Sequence, residues 1–93
     1  MLYCYTFNNT VSIEEVEDTF QLARIACEVL YGEAEVLLRS HSHFDRDNRL
    51  CEIEANSQIG LDLNRLFVGL LLREFGSMQF SLNRGTRHQS QPV

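Results

Sequence analysis

The sequence predicts an α+β domain, a four-stranded antiparallel sheet with two helices packed on one of its faces. Three observations carry this. The hydrophobic periods run strand, helix, strand, strand, helix, strand within residues 1 to 84. Ninety-three residues with a 44% apolar share suit one core. Single glycines at positions 32, 60, 76 and 85 mark the element boundaries.

Leu2 to Phe7 is aromatic and β-favouring, and predicts the first strand. Asn8-Asn9-Thr10 follows as a turn. Ser12 with Glu15 forms a capping box, and Val11 and Val16 have the spacing of a hydrophobic staple. They open a helix that runs to about Tyr31 on the stripe Val16, Phe20, Ala23, Cys27 and Leu30, with Gly32 as its stop. Glu35 to Phe44 predicts the second strand. Asp45-Arg46-Asp47-Asn48 makes the turn, and Arg49 to Ala55 the third strand. Asn56-Ser57-Gln58 with Gly60 reads as a loop. Asp62 caps a second helix that ends at Gly76. Met78 to Leu82 alternates as the fourth strand, with Met78, Phe80 and Leu82 inside. Residues 85–93 are expected as a polar, flexible tail beyond a single domain of residues 1–84.

This βαββαβ order resembles the ferredoxin-like two-layer sandwich, whose usual sheet order is 4-1-3-2 with strands 1 and 3 central. Strand parity then divides the sheet. On strand 3, Cys51, Ile53 and Ala55 face the helices, while Leu50, Glu52 and Glu54 face away. On strand 2, Val36 and Leu38 point in, and Glu35, Leu37, Arg39, His41 and His43 point out. On strand 1 the alternation allows either Leu2, Cys4 and Thr6 or Tyr3, Tyr5 and Phe7 to face the helices, and close packing under the helices favours the smaller set as the inner one.

Composition excludes several classes. A net charge of −5 disfavours nucleic acid, and the absence of lysine excludes lysine chemistry. Three cysteines without a CxxC pair are no disulfide framework, and read as small apolar residues. No secretory leader or apolar run of membrane-spanning length is recognisable, so a cytoplasmic protein without membrane contact is expected. No glycine-rich phosphate loop, nucleophile triad or cofactor motif is present in the sequence, so no cofactor is expected.

Two surfaces remain as candidate sites. With the small set of strand 1 inside, Tyr3, Tyr5 and Phe7 line the open sheet face beside Leu37, Arg39, Leu50, Glu52 and Glu54. Such an aromatic patch wants a partner, and self-association through this face or through a strand edge is the leading expectation. The second candidate is the run from His41 to Asp45. His41, His43 and Asp45 alternate on one face of an extended strand, a spacing that suits one metal ion or an acid–base pair. A small enzyme or ligand-binding protein built on these histidines is the alternative. Its sign would be a pocket that gathers His41, His43, Arg39 and a glutamate.

Overall fold

Capping and turn chemistry set the element boundaries in the computed structural model, which describes residues 1–85. Strand β1 is Leu2–Phe7. Helix α1, Ile13–Tyr31, starts at Ser12, whose hydroxyl accepts the Glu15 N–H at 3.3 Å. Val11 and Val16 are both buried, as a staple requires. Gly32 ends the helix at φ +92°, a conformation that costs glycine little.

The chain does not then enter a strand. Glu33–Arg39 forms a second helix, α2, and strand β2 is only His41–Asp45. The segment Glu-Ala-Glu-Val-Leu-Leu-Arg is composed almost wholly of strong helix formers, and Arg39 donates to Glu35 at 3.0 Å one turn earlier. Val36 is its single buried side chain, and Leu38, expected inside, is exposed. Strand β3 is Leu50–Glu54, reached through a turn in which the Asp45 carboxylate accepts from Asn48 N and Nδ2.

Helix α3, Gln58–Glu74, begins before Asp62. Ser57 is its cap, accepting from the Gly60 N–H at 3.1 Å. The expected loop residue Gly60 is buried in the first turn because the helix starts against the end of β3. A Cβ at Gly60 would lie 2.3 Å from the Glu54 carbonyl oxygen. A short 3₁₀ turn, Ser77–Gln79, precedes β4, Phe80–Gly85. The last strand therefore starts two residues later than expected, with Met78 exposed and Leu82 only partly covered. The expected tail, apart from Gly85, lies outside the described residues.

The four strands form one antiparallel sheet in the order β2-β3-β1-β4, so β1 and β3 are central. Counted from the β4 edge this reads 4-1-3-2. Three helices rather than two accompany the sheet. No helix among the described residues is long and apolar enough to cross a membrane.

The core joins Val16, Phe20, Ala23 and Cys27 of α1 to Leu63, Phe67 and Leu71 of α3 over Tyr5, Phe7, Cys51 and Ile53 of the sheet. Leu30, expected in this stripe, is exposed near the end of α1. The inner set of β1 is thus the aromatic one. The rings of Tyr5 and Phe67 meet edge to face at 4.9 Å, and Phe20 meets Phe67 at 5.2 Å. Rings of this size fill the space between two helices and a sheet, where Cys4 and Thr6 would leave voids. The Tyr5 hydroxyl also needs a partner once buried, and donates to Oδ1 of the buried Asn64.

A second phenol ties the helix ends together. Tyr31, the last residue of α1, donates its hydroxyl to Asp62 of α3. This bond holds the Asp62 carboxyl below the usual carboxylate range and pushes the Tyr31 phenol above the usual phenol range. A depressed carboxyl contributes stability above its unfolded value and loses it as pH falls. A raised phenol contributes below its unfolded value and loses it as pH rises. Urea melts of Tyr31→Phe against the parent should differ most between about pH 4 and pH 10, and converge on either side.

Gly69 has the opposite surroundings to Gly60, since it is exposed and a Cβ there would meet nothing within 4 Å. Gly69→Ala should raise stability by about 0.5–1 kcal/mol in urea melts, the helix-propensity difference alone.

Candidate functional site

The register of the sheet defines what its open face carries. Directly paired residues share a face. One row is His41, Glu54, Leu2 and Gly85; the next is His43, Glu52, Cys4 and Asn83; the third is Asp45, Leu50, Thr6 and Ser81. Tyr5 and Phe7 of the expected interface lie buried on the other side, and Tyr3 packs half-buried against the core. This corrects the expected parity of β1. The aromatic patch that would have drawn two sheets together is inside the domain. Leu50, Glu52 and Glu54 do occupy the open face, half-buried. Leu37 and Arg39 sit on α2 rather than on a strand, and Arg39 pairs with Glu35 instead of crossing the sheet.

The histidines fall on the short edge strand β2, both exposed, with His43 opposite Glu52 and His41 opposite Glu54. A depression of about 220 Å³ beside His41 is lined by Arg24, Val36, Leu37, Ser40 and Ser42; neither His43 nor a glutamate lines it. Both Asp45 oxygens are engaged by Asn48, which lowers the Asp45 carboxyl below its usual range. Among the described residues, no three His, Cys, Asp or Glu side chains are grouped to hold a metal ion. The cysteines do not converge either. Cys4 is on the open face, while Cys27 and Cys51 are buried beneath it, and burial raises the Cys51 thiol well above its usual range.

Most of the large exposed apolar side chains lie on the helices, with Met1, Met78 and Leu82 elsewhere. Leu22, Ile25 and Val29 of α1 are 58%, 53% and 80% exposed. Their spacing of three and four places them on one face of the helix, turned away from the buried Phe20, Ala23 and Cys27. Leu30 at the end of α1, and Leu37 and Leu38 of α2, add further exposed apolar area. Alongside Leu22, α1 and α3 enclose a groove of about 230 Å³ lined by Glu15, Asp18, Leu22, Leu70, Glu74 and Phe75.

Charge is concentrated on the same elements. Residues 13 to 39 carry seven carboxylates and two arginines, a balance of −5 that equals the balance of the whole chain. The remaining residues hold six of each sign. Arg24 is engaged with Glu28 and Arg39 with Glu35, both within a helix. Arg46 donates to Glu17 at 2.6 Å from the β2–β3 turn. Glu15, Asp18 and Glu74 in the groove have no ion pair among the described residues. The outer side of the helix layer is therefore both apolar and acidic, and the open sheet face is mixed and polar.

The acidic start of α1 is plain in the sequence. The second apolar stripe is legible there too, since positions 22, 25 and 29 repeat at helical spacing beside the core stripe. Comparison with protein-family models, with curated proteins and with solved structures gives no match to this chain.

Proposed function

We propose that this domain is a protein-interaction module whose contact surface is the outer face of its helix layer. The observation that supports this is the exposed stripe Leu22, Ile25 and Val29. Single exposed apolar residues are normal on any surface, whereas an aligned set on one helix face marks an interaction site. The fold supplies a rigid base for it, because the opposite side of α1 is locked into the core by Phe20 and Cys27. A self-associating ferredoxin-like module remains the second reading. It is favoured by the β4 edge, which pairs only with β1 among the described residues and exposes Ser81, Leu82 and Asn83.

Size-exclusion chromatography of the tagged chain in extracts of its own cells tests the surface. The chain should elute above monomer size. Ile25→Glu with Val29→Glu should return it to monomer, and Thr6→Glu with Asn83→Glu on the open sheet face should not. Elution of the unsubstituted chain as a monomer, or collapse by the sheet pair alone, would count against the helix face.

A further inference from the structure

We infer that the partner of this face is a basic amphipathic helix supplied by another protein. The inference rests on the reading of the helix layer as a contact surface and goes on to name the occupant.

The contact is helix-shaped. Leu22 to Val29 spans about 10 Å along α1, two turns of helix. The groove between α1 and α3 lies beside the same stretch, with Leu22, Leu70 and Phe75 at its apolar contacts. An amphipathic helix laid along α1 would place one apolar side chain in that groove and others against Ile25 and Val29, the i, i+3, i+7 mode of helix recognition.

Charge selects the partner. A second copy of this chain would bring the same acidic helix layer against the first, and like charges facing each other across an interface are costly. A basic helix meets the reverse situation. Glu15, Asp18 and Glu74 line the groove without an ion pair among the described residues. Lysine or arginine side chains flanking the apolar contacts would find these carboxylates within reach, while the arginines of α1 and α2 are already engaged with Glu28 and Glu35. Such a rim steers encounter and orders the register, and the apolar stripe supplies the affinity.

The probe is a fluorescein-labelled peptide of about 18 residues, long enough for marginal helicity, with leucines at i, i+3, i+4 and i+7 and lysines elsewhere. Two controls accompany it, the same peptide with glutamate for lysine and a scrambled peptide of equal composition. Anisotropy titrations are run at about 50 mM and about 300 mM salt, either side of physiological screening. The lysine peptide should bind and weaken with salt, and the controls should not bind comparably. Ile25→Glu should weaken binding by about tenfold, or roughly 1.4 kcal/mol, although it adds a negative charge. Asp18→Asn with Glu74→Gln should weaken it several-fold, and Glu52→Gln on the sheet should leave it unchanged. Thermal melts of Ile25→Glu report whether the exposed substitution leaves the fold intact.

Equal binding of the scrambled or glutamate peptide, or binding unaffected by Ile25→Glu in a folded variant, would overturn the basic-helix assignment. So would a homodimer in sedimentation equilibrium that Ile25→Glu dissolves; that result would keep the helix face as the contact surface. Collapse of the cellular complex by the sheet variants alone would remove the surface itself.

Discussion

Phe67→Ala is expected to destabilise the domain by about 3–5 kcal/mol, the usual cost of emptying a phenylalanine site in a packed core. Phe67 is fully buried at the centre of the ring cluster. It contacts Tyr5 and Phe20 edge to face, and Phe7 at 6.5 Å between centroids. Phe67 stands on α3 and its ring neighbours come from β1 and α1, so no single element can close the void. A small domain has only about 5–10 kcal/mol in total. The variant should therefore lose most of its urea resistance, and its melting transition should fall far below that of the parent. A loss under about 1 kcal/mol would mean that α1 and α3 do not meet over Tyr5. Phe67→Leu, which keeps most of the volume, should retain a cooperative transition and fall between the two.

Gly60→Ala should cost about 2–3 kcal/mol, an overpacking penalty against backbone rather than against a side chain that can swing aside. The added Cβ would sit 2.3 Å from the Glu54 carbonyl oxygen and 3.3 Å from Ala55 Cα. Either the first turn of α3 lifts from the end of β3 or the strand end shifts. In both cases the Ser57 cap is disturbed, because its hydroxyl donates to the Arg39 carbonyl while accepting from Gly60 N–H. Helix propensity alone would make the substitution favourable by about 1 kcal/mol. Urea melts of Gly60→Ala and Gly69→Ala therefore compare one chemical change in one helix with opposite expected signs. Stabilisation by both would show that α3 does not start against the β3 backbone.

Local chemistry was legible in the sequence where it is complete within a few residues. Ser12 with Glu15, and Val11 with Val16, open α1 as their spacing requires. The alternation of β3 places Cys51 and Ile53 inside and Glu52 and Glu54 outside. Asp45 and Asn48 close the hairpin turn. What was not legible depends on partners distant in the chain. Either parity of β1 gives an alternating strand. The outcome is decided by Phe67 and by Asn64, which lies 59 residues from the Tyr5 hydroxyl it accepts from. Segment 33 to 39 has too few residues to show a period. Its helix rests on composition and on the break at Gly32. Asp62 has the look of a cap, but the close approach of α3 to β3 moves the helix start back to Ser57.

The same dependence relocates the candidate site. Once Tyr5 and Phe7 are needed to fill the core, the open sheet keeps only Leu2 and Leu50 as sizeable apolar residues among His, Glu, Thr, Ser and Asn. The helix layer keeps a stripe that the core does not use. α1 is apolar on two sides; one side packs into the core, and the other, with Leu22, Ile25 and Val29, is exposed.

The most direct measurement is photo-cross-linking in the chain's own cells, with p-benzoylphenylalanine placed at Ile25, Val29, Thr6 or Asn83 in turn. The two helix positions should each yield a discrete adduct. The two open-face positions should yield none. Adducts at Thr6 or Asn83 with none at Ile25 and Val29 would contradict the assignment of the contact surface to the helices.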